Sequence, residues 1–364
     1  MSTSWRTSAC ALAAFSLAGA LPTAPSAAPA SGSPLPATAA TANAAAAVVA
    51  AGGLWIEPGL GMRFRYVPPG SFLMGSPPEE PARNAFEEQH RVTLTRAVWM
   101  GETEVTQAQW RRLMGNDPAF FLHCGGDCPV ELVNWYEAAA FANRLSARAG
   151  LPACYELSGC RGTLGGGCAR RPEVQKCDGD YRCGAARLTG LDCQGFRLPT
   201  EAEWEHAARA GTATALPDGD LTILGRNDAP ALDRVAWYGG DSGVSYPGGM
   251  ECARWSQRQE PARTCGPHPV AGKRPNAWGL HDVLGNVWEL TEDRAEWDDA
   301  AGRLVTDTYG GPETDPLCRK GSKHVLRGGS WYALANTCRL AARGSTHDAT
   351  RVRTVGFRLA RTAG

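Results

Sequence analysis

The stretch Phe196-Arg197-Leu198-Pro199-Thr200-Glu201-Ala202-Glu203-Trp204-Glu205 contains the start of an amphipathic helix. Thr200 supplies a short side chain that can accept from an unpaired backbone amide, and Glu203 stands three residues later, where its carboxylate can reach back. Trp204 begins an apolar stripe at helical spacing, and Gly211 offers a place for the helix to end. The stretch therefore predicts a short helix that buries one side.

The same pattern occurs twice upstream, at Thr106 with Gln109 and at Asn134 with Glu137. Each pair is followed by apolar residues at helical spacing, which predicts two more short helices. Other apolar runs are brief and bounded by turn residues, as expected for strands of a few residues. These runs are Phe64–Val67, Val92–Thr95, Val98–Met100, Val325–Leu326 and Phe357–Leu359. The pattern indicates an α+β fold, poor in regular structure, in a single domain over residues 53–364.

Composition excludes several function classes. The 364-residue chain is 43% hydrophobic, which provides for one or two sizeable cores, and its mean hydropathy of −0.29 excludes a polytopic membrane protein. Its 37 basic and 37 acidic residues cancel to a net charge of zero. Without a basic field, the chain has little to attract nucleic acid or an anionic bilayer.

The N-terminus has the features of an export signal. Residues 1–30 contain Arg6, an apolar run too short to span a bilayer, and small residues that end at Ala28-Pro29-Ala30. Residues 31–52 are rich in Ala and Pro and lack a periodic apolar pattern, which predicts a disordered linker. We therefore expect an exported protein that functions in the periplasm or outside the cell and has no membrane span.

Cysteine usage agrees with an oxidising compartment. Loss of Cys10 with the leader leaves twelve of the thirteen cysteines, an even number, and disulfides are their expected state. Zinc is the competing interpretation, but the irregular spacing lacks paired Cys-x-x-Cys ligands. Six cysteines in residues 154–193 predict an insertion held together by its own bridges, and Cys124 and Cys128 predict a local loop.

Several short motifs follow one another in a specific order. They are Phe72–Ser76, Glu104–Thr106, Pro129–Trp135, Phe196–Glu205, Asn276–Leu280, Gly285–Glu289, Leu326–Trp331 and Gly356–Arg358. Together they resemble the formylglycine-generating enzyme family, also called the sulfatase-modifying factor family. The resemblance covers nearly all of residues 54–360 outside the cysteine-rich insertion, and it implies a fold related to the C-type lectins.

The oxidising members of that family bind Cu(I) between two thiolates, and soft sulfur ligands suit this ion. The family spacing, counted from Ser330, falls on Ala333 and Cys338, so one of the two sulfurs is replaced by a methyl group. This argues against copper and leaves Cys338 as the candidate catalytic residue. The alternative is a disulfide from Cys338 to Cys318 or Cys265.

The resemblance also implies a calcium site at Asp282, Gly285, Val287 and Glu289, because calcium takes carboxylates and backbone carbonyls together. The alternative is a plain turn in which Glu289 pairs with an arginine. Four arginines near the motifs are candidates for internal ion pairs with acidic residues. They are Arg327, Arg339, Arg343 and Arg358.

Two functions of different classes follow from the resemblance. Because Ala333 removes a copper ligand, we favour a binding module that takes a peptide, protein or glycan on the segment Trp331–Val355. The predicted ligand cleft comprises Trp288, Ser330, Trp331 and Tyr332, with packing as the alternative role of these side chains. The second hypothesis is a divergent metal-dependent oxidase that uses Cys338. A third is an accessory factor for another exported protein.

Overall fold

The computed structural model describes residues 49–169, 174–224, 228–256, 259–300, 303–308 and 311–364. The predicted signal peptide and residues 31–48 of the predicted linker lie outside these ranges. Within the ranges, no helix has the length and apolar character needed to cross a membrane.

Three α-helices occur in the described residues, and each begins where the sequence predicts. They are α1 (Gln107–Met114), α2 (Trp135–Arg148) and α3 (Glu201–Arg209). All three have a complete capping box, in which the N-cap side chain and the side chain three residues later each accept from the other's backbone amide. The three helix predictions are confirmed.

The strands are short, and β15 is the one described strand longer than five residues. In chain order they are β1 (Leu54–Ile56), β2 (Arg63–Val67), β3 (Gly70–Met74), β4 (His90–Leu94), β5 (Val98–Gly101), β6 (Tyr155–Ser158), β7 (Lys176–Asp178), β8 (Ala185–Leu188), β9 (Phe196–Arg197), β10 (Ala236–Trp237), β11 (Gly243–Val244), β12 (Met250–Glu251), β13 (Thr264–Cys265), β14 (Leu284–Gly285), β15 (Trp288–Asp298), β16 (Arg303–Val305), β17 (Glu313–Thr314), β18 (Lys323–Arg327), β19 (Arg343–His347), β20 (Thr350–Val352), β21 (Val355–Gly356) and β22 (Ala360–Thr362).

Two five-stranded sheets organise the domain. One has the order β1-β2-β5-β22-β9, and the other has the order β16-β15-β18-β19 with β21 beside β15. The largest core packs α1 and α2 between parts of both sheets, through aromatic side chains such as Trp110, Phe141 and Phe357. A second core surrounds Trp204 on α3 and includes Tyr238 and Cys338. The described residues belong to one compact unit, so the predicted single α+β domain is confirmed.

Four of the five predicted strand runs are confirmed, and the run Phe357–Leu359 is wrong. These three residues connect β21 to β22. The carbonyl groups of Phe357 and Leu359 accept from the amides of Val105 and Gly101, while the intervening Arg358 extends its side chain into a buried cluster. The two apolar residues are therefore part of an irregular segment, and Arg358 between them reaches the buried cluster.

Ten of the twelve cysteines in the described residues form five disulfides. The pairs are Cys124–Cys128, Cys154–Cys193, Cys160–Cys183, Cys168–Cys177 and Cys252–Cys265. The local loop and the self-paired insertion are therefore confirmed. The insertion also joins the rest of the domain, because β7 within it pairs antiparallel with β20.

The predicted disulfide of Cys338 is wrong. Cys265 is bonded to Cys252, and within the described ranges Cys318 and Cys338 are both free thiols. An even number of cysteines therefore does not mean that every one is paired. Both thiols are buried, and Cys338 lies within the second core.

The predicted internal ion pairs of four arginines are confirmed. Arg339 binds Glu80 and Glu87, Arg343 binds Glu201, Arg327 binds Glu205, and Arg358 binds Glu289. All these side chains are buried. Each pair joins segments that are distant in the sequence. Loss of one partner leaves the other charge buried and uncompensated, which destabilises both segments.

Candidate functional site

The turn between Asp282 and Glu289 is fixed at a position that only glycine tolerates. Gly285 has a φ of +78°, and a Cβ atom there would lie 2.2 Å from the carbonyl oxygen of Trp237. The backbone amide of Asn286 donates to that same carbonyl at 2.7 Å. The turn is therefore held against β10, and β15 begins directly after it with Glu289 pointing into the protein.

Glu289 is fully buried and paired. Its two carboxylate oxygens accept from Nε and Nη2 of Arg358, each at 2.6 Å, and Oε2 also accepts from the indole nitrogen of Trp204 at 2.7 Å. Arg358 donates further to the backbone carbonyls of Gly101 and Asp282. This arrangement realises the arginine pairing that was the alternative to a calcium ligand.

Two more carboxyl groups surround the same guanidinium. Both oxygens of Glu104 and Oδ1 of Asp282 are buried and have no hydrogen-bond partner. Burial, the charge of Asp282 and then that of Glu289 raise the pKa of Glu104 well above its usual value. Burial likewise raises the pKa of Asp282 to about 6, although the amide of Ala271 donates to its Oδ2.

These atoms fit a hard cation in their chemistry. The unpaired oxygens of Glu104 and Asp282 are the ligand type that calcium prefers, and they lie near the single guanidinium of Arg358, which is already paired with Glu289. Among the described residues, however, no three His, Cys, Asp or Glu side chains converge closely enough to hold a metal by themselves. Backbone carbonyls, such as those predicted at Gly285 and Val287, would have to complete the set.

A cluster of aromatic side chains lies on the other side of the turn. Trp331 is buried edge-to-face against Phe121, with ring centroids 5.2 Å apart, and its amide donates to the carbonyl of Asn286 at 2.7 Å. Tyr332, whose surface is 40% exposed, stands edge-to-face on Trp255 at 4.7 Å. We call Trp255, Trp331 and Tyr332 the aromatic face.

The predicted cleft residues divide between two places. Ser330 and Trp331 are buried behind Tyr332, and the Ser330 hydroxyl accepts from the Tyr332 amide at 3.4 Å. Trp288 instead packs against Gly344 and the largest core. A small cavity of about 50 Å³ lies beside Trp331 and Tyr332 and includes Gln175 of the insertion.

Cys338 is enclosed in the second core, next to Gly329. Its side chain is fully buried, and a Cβ atom at Gly329 would lie 2.5 Å from its sulfur. Burial raises the pKa of the Cys338 thiol to about 12, so the sulfur is protonated at neutral pH. Ala333 packs nearby against the same core, and its carbonyl accepts from the amide of Gly239.

Sequence reasoning missed Glu104 and Trp255 as members of these sites. Glu104 was visible as part of a motif, and its place two residues before the N-cap Thr106 was the available signal. Trp255 has no local signal, because a disulfide between Cys252 and Cys265 brings its loop to the aromatic face.

Buried carboxyl groups predict an unusual dependence of stability on pH. Burial raises the pKa of Glu292 to about 8 and that of Asp293 to about 7. The folded state therefore keeps protons that the unfolded state releases near pH 4, and the free energy of unfolding falls as pH rises through the folded pKa values. The buried His268 and His324, with pKa values lowered to about 4 and 3, oppose this below pH about 6.5.

We expect the free energy of unfolding to fall by about 1–2 kcal/mol between about pH 6.5 and pH 8, since one retained proton is worth about 1.4 kcal/mol per pH unit. Urea unfolding in buffer with a chelator measures this. Glu292→Gln keeps an acceptor for the Tyr155 hydroxyl and is expected to flatten most of the slope. A stability that rises over this range contradicts the prediction.

Short strands, three capped helices and disulfide-bonded loops make up a single α+β domain that is poor in regular structure. A sequence profile described as "Sulfatase-modifying factor enzyme 1-like domain" matches residues 62–363. The chain belongs to this family, whose members include formylglycine-generating enzymes.

Relatives with several names are similar to this chain. The formylglycine-generating enzyme of Streptomyces coelicolor is 36% identical over 178 residues, covering 46% of this chain and 48% of that protein. "Chaperone protein LppX" of Paenibacillus barcinonensis is 28% identical over 243 residues, covering 67% and 72%. The match thus spans about half the length of the formylglycine-generating enzyme.

One solved structure matches most of both chains. "Treponema denticola variable protein 1" has a TM-score of 0.60 and 30% sequence identity, and the match covers 85% of this chain and 98% of that chain.

Proposed function

We propose that this chain is an exported binding module of the sulfatase-modifying factor family, which holds a peptide, protein or glycan ligand on its aromatic face. One observation carries the proposal: Tyr332 is 40% exposed and is braced by Trp255 and the buried Trp331. Braced aromatic rings offer a large contact area with little loss of side-chain entropy on binding. The five disulfides support a location outside the cytoplasm.

A screen of the purified chain against glycan and random-peptide arrays tests this function. For a ligand so found, Tyr332→Ala is expected to weaken binding by about 30-fold, the effect of losing a central aromatic anchor. Trp297→Ala is the matched control, because Trp297 is equally exposed but lies on the β15–β16 hairpin. Equal loss in both variants, or no ligand at all, contradicts the proposal.

The second candidate is a divergent oxidase that uses Cys338, and the relatives named formylglycine-generating enzyme favour it. For oxidation, the Cys338 sulfur would have to become accessible and lose its proton. Burial opposes both requirements, so we rank this candidate second.

Calcium binding at the turn forms part of the proposal, with Asp282, Gly285 and Val287 as ligands from the predicted set. The fourth predicted ligand, Glu289, already has both carboxylate oxygens bound by Arg358. Calcium bound there would hold the turn that supports the aromatic face, since Asn286 in this turn accepts from the Trp331 amide. Asp282 would supply its unpaired Oδ1, and Glu104 is added as a further candidate ligand. The ion would add positive charge next to the carboxyl groups of Asp282 and Glu104, in addition to the charge of Arg358.

Calcium at about 1 mM, the range of extracellular calcium modules, is therefore expected to raise the midpoint of thermal unfolding after treatment with a chelator. The increase should be larger at pH 7.5 than at pH 5, because bound carboxyl groups must lose their protons. Asp282→Ala should abolish the increase, while magnesium should give less of it. If calcium raises the unfolding midpoint of Asp282→Ala as much as that of the wild type, the calcium site is contradicted.

A further inference from the structure

The small cavity beside Trp331 and Tyr332 is built by segments that are distant in the sequence. Its volume is about 50 Å³. Its lining consists of Gln175 from the insertion, Met250 on β12, Trp331 and Tyr332 from the aromatic face, Val352 on β20, and the following Arg353 and Thr354. The cysteine-rich insertion, which lies outside the motifs of the family, thus contributes to the same surface as the aromatic face.

The insertion is fixed to this cavity through its backbone. The amide of Arg353 donates to the carbonyl of Gln175 at 3.1 Å, directly beside the ladder that joins β7 to β20. Gln175 is exposed, and Met250, Val352 and Thr354 are half-buried. Side chains that a ligand can touch therefore stand around the cavity.

The cavity offers apolar surface and few hydrogen bonds. The indole nitrogen of the fully buried Trp331 already donates to the carbonyl of Arg353 at 3.3 Å. Arg353 is buried as well, and its guanidinium stacks on the ring of Phe120 at 3.6 Å. Among the described residues that line the cavity, none is Asp, Glu or Asn. Sugar hydroxyl groups placed here would find few partners, and burying them unpaired is costly.

The volume of the cavity limits the group that can enter it. A water-sized group needs roughly 10–15 Å³ of such space, so a cavity of about 50 Å³ takes about four of them. A branched aliphatic side chain, as in valine, leucine or isoleucine, has about this size. A pyranose or phenyl ring is larger than the space available.

We propose that this cavity takes the aliphatic side chain of a protein ligand, whose backbone lies across Tyr332. The inference rests on the proposed function and narrows its ligand to a peptide segment that contains valine, leucine or isoleucine. Leu334, two residues after Tyr332, is 42% exposed and adds apolar surface to the same loop. The exposed rings would supply contact area, and the cavity would select the side chain.

Selection of a random-peptide phage library on the full chain tests the inference. Peptides whose binding is lost in Tyr332→Ala should share one valine, leucine or isoleucine. Synthetic copies with alanine at that position should bind about tenfold more weakly, because apolar burial is lost. Copies with phenylalanine there should also bind more weakly, because the ring does not fit. Methyl mannoside and N-acetylglucosamine at about 20 mM should not compete with the peptides.

A variant at the mouth of the cavity locates the binding. Gln175→Trp changes an exposed side chain, and by filling the mouth it should weaken binding of the selected peptides about tenfold. Gln194→Trp is the matched control, because Gln194 is also exposed but does not line this cavity, and it should leave binding unchanged.

The outcomes separate this inference from the proposed function. Peptides that depend on Tyr332 but tolerate alanine at every aliphatic position, or that bind Gln175→Trp as well as the wild type, overturn the inference and leave the binding function standing. A glycan whose binding depends on Tyr332 does the same. If neither the peptide library nor a glycan array yields a ligand that depends on Tyr332, both are overturned.

Discussion

Incubation with copper and a cysteine-containing sulfatase-type peptide is expected to yield no peptide aldehyde from this protein. Copper held between two thiolates needs two sulfurs, and the position of the first is Ala333. The second, Cys338, is fully buried, and its pKa is raised to about 12. A neutral, enclosed thiol neither coordinates Cu(I) well nor exchanges with a peptide cysteine.

Mass spectrometry of the peptide measures this, with a formylglycine-generating enzyme as the positive control in the same buffer. A Cu(I) competition assay should likewise show no tight site that depends on Cys338, so wild type and Cys338→Ser should behave alike. A count of thiols in denatured, non-reduced protein should lose one thiol in Cys338→Ser and another in Cys318→Ser, because these two are free. Aldehyde formation, or stoichiometric Cu(I) lost in Cys338→Ser, would reverse our ranking of the two functions.

Local chemistry explains which parts of the fold the sequence predicts. A capping box lies within four residues, so the starts at Thr106, Asn134 and Thr200 depend on nothing distant. The loop closed by Cys124 and Cys128 is equally local. Some of the motifs mark positions that this fold restricts, as Gly285 does where a Cβ atom would collide with the Trp237 backbone.

Contacts between distant segments are what the sequence does not reveal. Arg351 on β20 binds Glu137 on α2 and the carbonyl of Gly167 in the insertion, so the insertion is anchored by residues far along the chain. Trp255 likewise contacts Trp331 and Tyr332, which are distant from it in the sequence. Whether Cys338 is bonded depends on which sulfur comes near it, and Cys265 is taken by Cys252. No spacing rule contains this information.

Substitution in the buried pair of Arg358 and Glu289 is expected to destabilise the fold strongly. Arg358→Met is expected to reduce the free energy of unfolding by about 3–5 kcal/mol, because it leaves Glu289 buried without its cation. It also removes the donors to the carbonyls of Gly101 and Asp282. Arg358→Lys should recover only part of the loss, since an ammonium group cannot bind both carboxylate oxygens as a guanidinium does.

Urea unfolding of these variants measures the effect, and Arg187→Met is the matched control. Arg187 pairs with Glu156 at 2.7 Å, but both side chains are 62% exposed, so its loss should change stability by less than about 1 kcal/mol. If calcium binds at Asp282, it should restore part of the stability of Arg358→Met, because the ion would supply positive charge to the same carboxyl groups. Similar losses in Arg358→Met and Arg187→Met would show that burial does not make this pair decisive.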